Sequence, residues 1–372
     1  MPESSRLSEI STSTIRRMFE IVARAKREGK DVINLSIGEP DFHTHPLLIE
    51  KANKAMAKGY THYTSNFGLE ELRSVIAERY GVNGSNVMVT AGASEALLNA
   101  SLAFIEEGSR VLIPTPGFLS YFTYAKICRA KIEQIYTHEN GFEVNPDYLS
   151  ETMDRDVSVI FLNYPNNPTG VVMRNLKSIA EIAADYNAVV ISDEIYDSIY
   201  YDIRPETLAA LENTVVINGF SKSLAMTGWR VGYVIANEEL LDSMLKVHQV
   251  NGVCAPAFAQ KAIAELMEDG TDRKITEEMV EEFRRRRDFV FSSLKDMGIK
   301  AVKPEGAFYI FPEVPLNSTD FTEKLIEHGV AVTPGTAFGD GNENYIRISY
   351  AASMEVLEKA IKRLYNFVER LN

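Results

Sequence analysis

The feature of this sequence that most constrains its fold is an alternation of short β-branched runs with helical patterns between about residue 86 and residue 236. Between the third and fourth runs, apolar residues recur at helical spacing, at Leu176, Ile179, Ala180, Ala183 and Tyr186. Strand, crossover helix and strand in this order predict a mostly parallel sheet that helices cover on both faces. The predicted strands are Val87 to Thr90, Val111 to Pro114, Val157 to Leu162, Ala188 to Ser192, Thr214 to Asn218 and Arg230 to Ala236.

The C-terminal part of the chain has a different pattern, and 372 residues exceed what one hydrophobic core usually serves. Two helices with apolar stripes flank short candidate strands, which predicts a separate α+β unit. We expect a large domain over residues 45–265 and a small domain made of residues 1–44 and 266–372. Gly298 is expected to cap the first of the two helices. The stripes are Met279, Phe283, Val290, Leu294 and Met297, then Met354, Leu357, Ile361, Leu364 and Val368, and the strands lie near Ala307 to Phe311, Val330 to Val332 and Tyr345 to Ser349.

The composition excludes several classes of protein. Apolar residues make up 45% and charged residues 24% of the sequence, which is typical of a folded chain with a sizeable core. The net charge of -13 argues against a nucleic-acid-binding protein, because the one basic run, Arg284 to Arg287, follows glutamates on the same predicted helix. Cys128 and Cys254 lie far apart and predict neither a disulfide framework nor a metal site.

The sequence predicts neither a targeting segment nor a metal site. The N-terminal residues MPESSRLSEI do not have the basic and apolar regions of a signal peptide, and no run approaches the roughly 18 apolar residues of a membrane helix. We therefore expect a cytoplasmic protein without a membrane partner. We also expect no metal, because His43 and His45 have no third ligand beside them.

Reactive side chains follow the predicted strands at their carboxyl ends, where open α/β sheets bind ligands. Asp193 follows the fourth strand, Lys222 lies just beyond the fifth, and a proline-rich turn over residues 163–170 follows the third. Residues 91–95 join the first strand to the helical pattern of residues 96–104, where free amides form an anion site and Ser94 is expected to cap the helix. Taken singly, each feature also has an ordinary interpretation, such as an ion pair or a loop.

Taken together, these segments resemble the class I aminotransferases of the pyridoxal-5'-phosphate (PLP) fold type I superfamily, nearest to the aspartate and aromatic amino acid aminotransferases. The resemblance runs in family order from near residue 10 to the C-terminus. It implies a three-layer αβα large domain, a smaller α+β domain, PLP as the cofactor and a homodimer as the active unit. The matching segments are Ser36 to Phe42, Asn166 to Gly170, Ser192 to Tyr196, Ser221 to Arg230, Gly306 to Tyr309 and Tyr345 to Tyr350.

The resemblance implies that five residues hold the ring of the cofactor. Lys222 resembles the lysine whose amine forms an imine with the PLP aldehyde and later shuttles a proton. Asp193 resembles the carboxylate that keeps the pyridine nitrogen protonated, so that the ring is a strong electron sink. Asn167 and Tyr196 match residues that hydrogen-bond the 3-oxygen of the ring, and Phe118 falls where an aromatic side chain stacks on it. Lys222, Asp193 and Tyr196 are the expected catalytic residues.

The resemblance also implies a site for the cofactor phosphate. This site consists of the amides of Ala93 and Ser94, the Ser221 hydroxyl and the Arg230 guanidinium, whose charge-assisted hydrogen bonds are strong. Tyr63 falls where the neighbouring subunit contributes a hydroxyl to the phosphate.

For the substrate, Arg347 resembles the arginine that binds the α-carboxylate of the amino acid. Its planar guanidinium offers two parallel donors, a geometry that lysine does not have. The Gly38 backbone and Asn167 are implied to assist.

The function that these residues favour is transfer of the amino group of an L-amino acid to a 2-oxo acid such as 2-oxoglutarate. A PLP-dependent lyase or decarboxylase shares Lys222, Asp193 and Arg347 and stays an alternative. A PLP-binding regulator would need a DNA-binding domain, for which the chain has neither room nor a basic helix. Aspartate, glutamate and aromatic donors remain open, since Phe118 and Tyr121 also suit an aromatic pocket.

Overall fold

The computed structural model describes residues 4–8, 10 and 14–371, and it contains twelve strands in that part of the chain. The six predicted strands are all present with ends shifted by up to two residues. The strands are β1 Ile33–Asn34, β2 Val87–Thr90, β3 Arg110–Thr115, β4 Lys131–Tyr136, β5 Val157–Asn163, β6 Val189–Asp193, β7 Thr214–Gly219, β8 Gly232–Ile235, β9 Tyr309–Ile310, β10 Val330–Ala331, β11 Thr333–Pro334 and β12 Ile346–Ser349.

The same residues form fourteen α-helices and four short 3-10 helices. None of these helices combines the length and the apolar composition that crossing a lipid bilayer requires. The α-helices are α1 Ser5–Ser8, α2 Thr14–Arg27, α3 Pro46–Ala57, α4 Glu70–Tyr80, α5 Ala93–Phe104, α6 Leu119–Ile127, α7 Pro146–Thr152, α8 Leu176–Asp185, α9 Phe220–Ser223, α10 Glu238–Asn251, α11 Ala257–Glu268, α12 Thr271–Asp296, α13 Ser318–Glu327 and α14 Met354–Glu369. The 3-10 helices are Gly84–Asn86, His138–Asn140, Thr227–Trp229 and Gly335–Phe338.

Seven strands form one sheet in the order β2-β8-β7-β6-β5-β3-β4. The pairs from β7 to β4 are parallel, and only β8 runs antiparallel to its two neighbours. The predicted mostly parallel sheet is therefore confirmed. Strand β4 was not predicted, because its sequence KIEQIY is half polar and it lies at the exposed edge of the sheet.

Helices cover both faces of this sheet, as the alternating side chains of β5 require. Val159 and Phe161 pack into one core together with α5, α6 and α10, whereas Ile160 and Leu162 pack into the other with α3, α4, α7, α8 and α11. Successive residues of a strand point to opposite faces, so one apolar strand serves two cores. The result is the predicted three-layer αβα arrangement.

The C-terminal residues build a second, smaller unit. Strands β11, β12 and β9 form an antiparallel sheet, and the apolar side chains of β12 and β9 share a core with α12, α13 and α14. Gly298 follows α12 with a φ of 73°, and its N–H donates to Lys295 O, which agrees with the predicted cap. The domain boundaries stay a prediction, and the one after residue 265 falls inside α11.

Candidate active site

A cavity of about 240 Å³ lies where the carboxyl ends of the parallel strands face the smaller unit. Every residue predicted for the site lines it except Tyr63. The large seven-stranded sheet and the small three-stranded sheet therefore bring residues that are distant in sequence to one cavity. The predicted residues in its wall are Gly38, Ala93, Ser94, Phe118, Asn167, Asp193, Tyr196, Ser221, Lys222, Arg230 and Arg347.

Lys222 lies in the short helix α9, directly after β7 ends. Its Nζ donates a hydrogen bond to the carbonyl oxygen of Gly38 at 2.7 Å. Burial lowers the pKa of Lys222 to about 8, although the nearby carboxylates of Glu39 and Asp193 act in the opposite direction. A lysine with such a pKa presents far more free amine near neutral pH than an ordinary lysine does, and the free amine is the nucleophile.

Asp193 is the last residue of β6 and is buried. Its Oδ2 accepts a hydrogen bond from the hydroxyl of Tyr121 at 2.7 Å, and its Oδ1 accepts one from the N–H of Ile195 at 3.2 Å. Burial raises the pKa of Asp193 to about 6, while these two hydrogen bonds oppose the rise. The group is therefore mainly a carboxylate at neutral pH, and a cation facing it would be bound strongly.

Arg347 lies on β12 with only 1% of its surface exposed. Its Nη1 donates to Asn167 Oδ1 at 2.9 Å, and its Nη2 donates to the carbonyl oxygen of Ser36 at 2.7 Å. Among the described residues no carboxylate lies within ion-pair distance of it, and its Nε has no partner. Burial lowers the pKa of Arg347, but an arginine keeps its charge in proteins. A buried cation without an anion is suited to bind a carboxylate from solution.

Tyr196 and Tyr309 form a pair of hydroxyls 2.9 Å apart at the wall of the cavity. The Tyr309 ring also lies against Arg347, whose guanidinium carbon is 4.5 Å from the ring centroid. Burial raises the pKa of Tyr196 well above its ordinary value, so its phenol stays protonated at neutral pH.

Gly38 packs so near to Tyr309 that a Cβ on Gly38 would approach the Tyr309 hydroxyl to 2.7 Å. This close approach requires glycine at position 38.

Gly92 and Arg230 form a cradle at the start of α5. Gly92 has a φ of 88° and is the N-cap, and a Cβ on it would lie 2.4 Å from Arg230 Nη2. The Arg230 Nη2 atom donates to Ala91 O at 3.3 Å. The prediction that Ser94 caps α5 is wrong, because the left-handed Gly92 starts the helix earlier and leaves Ser94 inside its first turn. The first amides of this helix lack intrahelical partners and favour an anion.

Two further residues were predicted for the site. Phe118 lies in the cavity wall, with its ring centroid 5.5 Å from that of Tyr121. Tyr63 is 85% exposed and lies outside this cavity, so its predicted contribution to a neighbouring subunit stays a prediction.

Sequence reasoning missed two polar contacts in this site. Tyr121 was predicted only to suit an aromatic pocket, and its hydrogen bond to Asp193 depends on the packing of α6 against the sheet. Tyr309 ends the matching segment Gly306 to Tyr309, which was the available signal for it. Neither hydroxyl contact is encoded by local spacing, because the partners lie 72 and 113 residues away.

Comparison with known proteins agrees with this geometry. Residues 30–364 match the sequence model of the aminotransferase class I and II family. The chain is 42% identical to the aspartate aminotransferase of Pyrococcus abyssi, over 98% of this chain and 97% of that protein. It is 38% identical to aromatic-amino-acid aminotransferase 2 of Thermococcus litoralis over the same shares. A solved single mutant of the aspartate aminotransferase of Thermus thermophilus is similar with a TM-score of 0.94 at 32% identity, covering 98% of this chain and 99% of that one.

The α/β fold and the lysine, carboxylate and arginine of the cavity define an enzyme for amino-group chemistry. The chain belongs to the class I and II aminotransferase family. It is a transaminase, whose substrates are amino acids and 2-oxo acids. The predicted family, fold class and reaction are confirmed, and the findings favour transfer over the lyase, decarboxylase and regulator alternatives.

The lowered pKa of Lys222 predicts its chemical reactivity. The unperturbed lysine pKa is about 10.4, so the native protein releases this proton at lower pH than the unfolded chain does. Acetic anhydride labelling across pH, read by peptide mass spectrometry after removal of any carbonyl ligand, should give Lys222 a midpoint near pH 8. Lys54, whose pKa is raised by its hydrogen bond to Glu50, is the internal control and should react later. Equal midpoints for the two lysines would contradict the burial of Lys222.

Proposed function

We propose that this transaminase binds PLP at Lys222 and transfers the amino group of aspartate or an aromatic L-amino acid to a 2-oxo acid such as 2-oxoglutarate, in a ping-pong reaction. The observation that carries the proposal is the buried Arg347, a cation without an anionic partner among the described residues, in the same cavity as the low-pKa Lys222. The names of the relatives support both donor classes.

The residues present fit PLP. Lys222 offers an amine for the aldehyde, Asp193 offers a buried carboxylate for a protonated ring nitrogen, and the Gly92–Arg230 cradle offers room and donors for a phosphate. A Cβ at Gly92 would fill that cradle, which supports a ligand group at this place. When bound, PLP supplies an electron sink that stabilises negative charge at the Cα of the amino acid.

The side chains around the ring have distinct proposed tasks. The amine of Lys222 would hold the cofactor and, once the substrate amine has replaced it, would take the proton from Cα and return it on the cofactor side. Asp193 would keep the ring nitrogen protonated, oriented by the hydroxyl of Tyr121. Tyr196, protonated at neutral pH, would donate to the 3-oxygen together with Asn167, and Phe118 would cover one face of the ring.

The phosphate is proposed to bind to the amides of Ala93 and Ser94, the Ser221 hydroxyl and Arg230. All four residues lie in the cavity wall. Arg230 is held in place by hydrogen bonds from its guanidinium to the carbonyl oxygens of Thr227 and Ala91. A guanidinium fixed at two points loses little side-chain entropy when it binds an anion.

The substrate carboxylate is proposed to bind Arg347, with Asn167 and the Gly38 backbone beside it. Asn167 already accepts a hydrogen bond from Arg347 through Oδ1, which orients the guanidinium and leaves the Asn167 amide group for the substrate. Excluding water from such a pair strengthens the attraction.

The donor side chain is the least constrained part of the proposal. A dicarboxylic donor needs a second cation, and the cations in the described wall of the cavity are Lys222, Arg230 and Arg347, each with a task already. We propose that the enzyme is a cytoplasmic homodimer in which Tyr63 reaches the neighbouring phosphate site. A cation for a side-chain carboxylate would then come from the neighbouring subunit, and Tyr309 and Phe118 suit an aromatic donor.

Lys222→Ala tests the assignment of the amine. Wild-type protein with PLP should yield a peptide modified at Lys222 after borohydride reduction, whereas the variant should remain folded and give no modified peptide. Its turnover should fall by roughly 10²–10⁴-fold or more, because the group that moves the proton is lost. Modification at another lysine, or normal turnover of the folded variant, would refute the assignment.

A panel of L-amino acids with 2-oxoglutarate tests the donor class. Aspartate, phenylalanine, tyrosine and tryptophan should give the highest kcat/KM, and leucine and lysine should serve poorly. Parallel lines in double-reciprocal plots at several concentrations of 2-oxoglutarate are expected for a ping-pong reaction. A preference for basic or branched aliphatic donors would contradict the donor class without affecting the role of Lys222.

Arg347→Lys tests the carboxylate site. Lysine keeps the charge and loses the two-point geometry, so KM should rise for every donor, by roughly 10- to 100-fold, the value of a hydrogen bond between charged groups. The rise should be similar for aspartate and phenylalanine, since both share the α-carboxylate. A rise confined to aspartate would move Arg347 to the side-chain site.

A further inference from the structure

Glu95 and the buried His248 form a hydrogen-bonded pair beside the cavity that has no task in the proposed reaction. Glu95 is the third residue of α5, and His248 lies near the end of α10 with no exposed surface. The His248 Nδ1 and Glu95 Oε1 atoms are 2.6 Å apart, and Asn99 Nδ2 donates to the same oxygen at 3.0 Å. A buried polar pair of this kind costs desolvation and therefore calls for an explanation.

The second carboxylate oxygen of Glu95 reaches the turn before α5. Oε2 accepts a hydrogen bond from the N–H of Ala91 at 2.5 Å. In a capping box, the third residue of the helix accepts from the N–H of the N-cap, whereas here it accepts from Ala91, the residue before the N-cap Gly92. The carbonyl of the same residue, Ala91, accepts from Arg230 Nη2 at 3.3 Å. The Ala91 residue is thus held by Glu95 at its N–H and by Arg230 at its C=O.

The conformation of the Glu95 side chain is fixed from the other side by the end of α10. A Cβ added at Gly252 would lie 2.4 Å from Glu95 Oε1, so the carboxylate packs directly on the Gly252 backbone. Asn251 Nδ2 donates to Asn99 Oδ1 at 3.0 Å and joins the two helices again. The carboxylate therefore has little freedom, and Ala91 is held in one position relative to α10.

Attraction of an anion does not explain this carboxylate. Burial opposes ionisation of Glu95, but the hydrogen bonds from His248 and from Ala91 N–H outweigh it, so the pKa of Glu95 lies below its ordinary value. The negative charge favours the N-terminus of α5 and at the same time repels an anion bound there. A net benefit to anion binding must come from geometry.

We propose that Glu95 and His248 are positioning residues for the cofactor phosphate, which fix Ala91 and through it the Gly92–Ser94 amides and the Arg230 guanidinium. The inference rests on the proposed function, because the cradle has a purpose only if the cofactor carries a phosphate. Neither residue contacts the ligand. Their effect should therefore depend on whether the ligand has a phosphate.

The test compares the affinity of cofactor-free protein for PLP and for pyridoxal, which has the same aldehyde and ring without the phosphate. Glu95→Ala should displace Ala91 and so cost about one hydrogen bond between the cradle and the charged phosphate, which weakens PLP binding by about 10- to 100-fold. Pyridoxal binding should change by less than about 3-fold. Glu95→Gln keeps an acceptor for Ala91 N–H and should recover most of the PLP affinity. His248→Asn keeps a donor near the position of Nδ1 and should be milder than His248→Leu.

Asp272→Asn is the matched control, since it removes the charge of a buried carboxylate that pairs with the partly exposed Arg79 at 2.6 Å, away from the cavity. It should lower the Tm and leave the PLP-to-pyridoxal affinity ratio unchanged. The positioning role is overturned if folded Glu95→Ala keeps the wild-type ratio. If that variant does not fold, a wild-type ratio in folded His248→Leu overturns the role in the same way. Wild-type protein that binds no PLP would overturn the proposed function and this inference together, whereas an unchanged ratio overturns this inference alone.

Discussion

The in-register parallel pairing of β5, β6 and β7 is the constraint on which the rest of the structure depends. Asn163 stands opposite Asp193, and Asp193 stands opposite Ile217, so the carboxyl ends of the three strands meet at one edge of the sheet. Asn163 then joins two of the loops directly, because its amide donates to Asp193 O and its Oδ1 accepts from Asn167 N. A slip of one residue would turn Asp193 to the opposite face and remove it from the cavity.

That edge gathers charges which water no longer stabilises. Burial moves the pKa of Lys222 down to about 8 and that of Asp193 up to about 6. Arg347 is also buried, and no carboxylate among the described residues pairs with it. Each group is less stable in its charged form than it would be in solvent, and the two apolar cores of the large sheet offset this cost. In the proposed reaction, the cofactor aldehyde would meet Lys222, the protonated ring nitrogen would meet Asp193, and the substrate carboxylate would meet Arg347. Each of these contacts would offset the cost of burying one residue.

The sequence predicts the parts of this structure that depend on local pattern. The strands of the sheet interior and helix α8 were found because their apolar residues repeat at strand or helix spacing. The polar edge strand β4 lacks that signal, and the Ser94 cap failed because a glycine with positive φ moved the helix start. The segments that resemble the aminotransferase family pointed to Lys222, Asp193 and Arg347, which line the cavity. The pairs Tyr121–Asp193, Tyr196–Tyr309 and Glu95–His248 were beyond reach, because only tertiary packing brings partners 72 to 153 residues apart into contact.

The residues of the proposed site do not by themselves determine which amino acid the enzyme prefers as donor. The chain is about as similar to an aspartate aminotransferase, at 42% identity, as to an aromatic-amino-acid aminotransferase, at 38%. Proteins with different donors in their names thus share nearly the full length of this chain, so overall similarity does not decide the donor. In the proposed site, Lys222, Asp193 and Arg230 contact the cofactor, and Arg347 contacts the α-carboxylate that all donors have in common. Selectivity then belongs to the wall around the donor side chain, where a cation favours the side-chain carboxylate of aspartate and aromatic rings favour an aromatic donor.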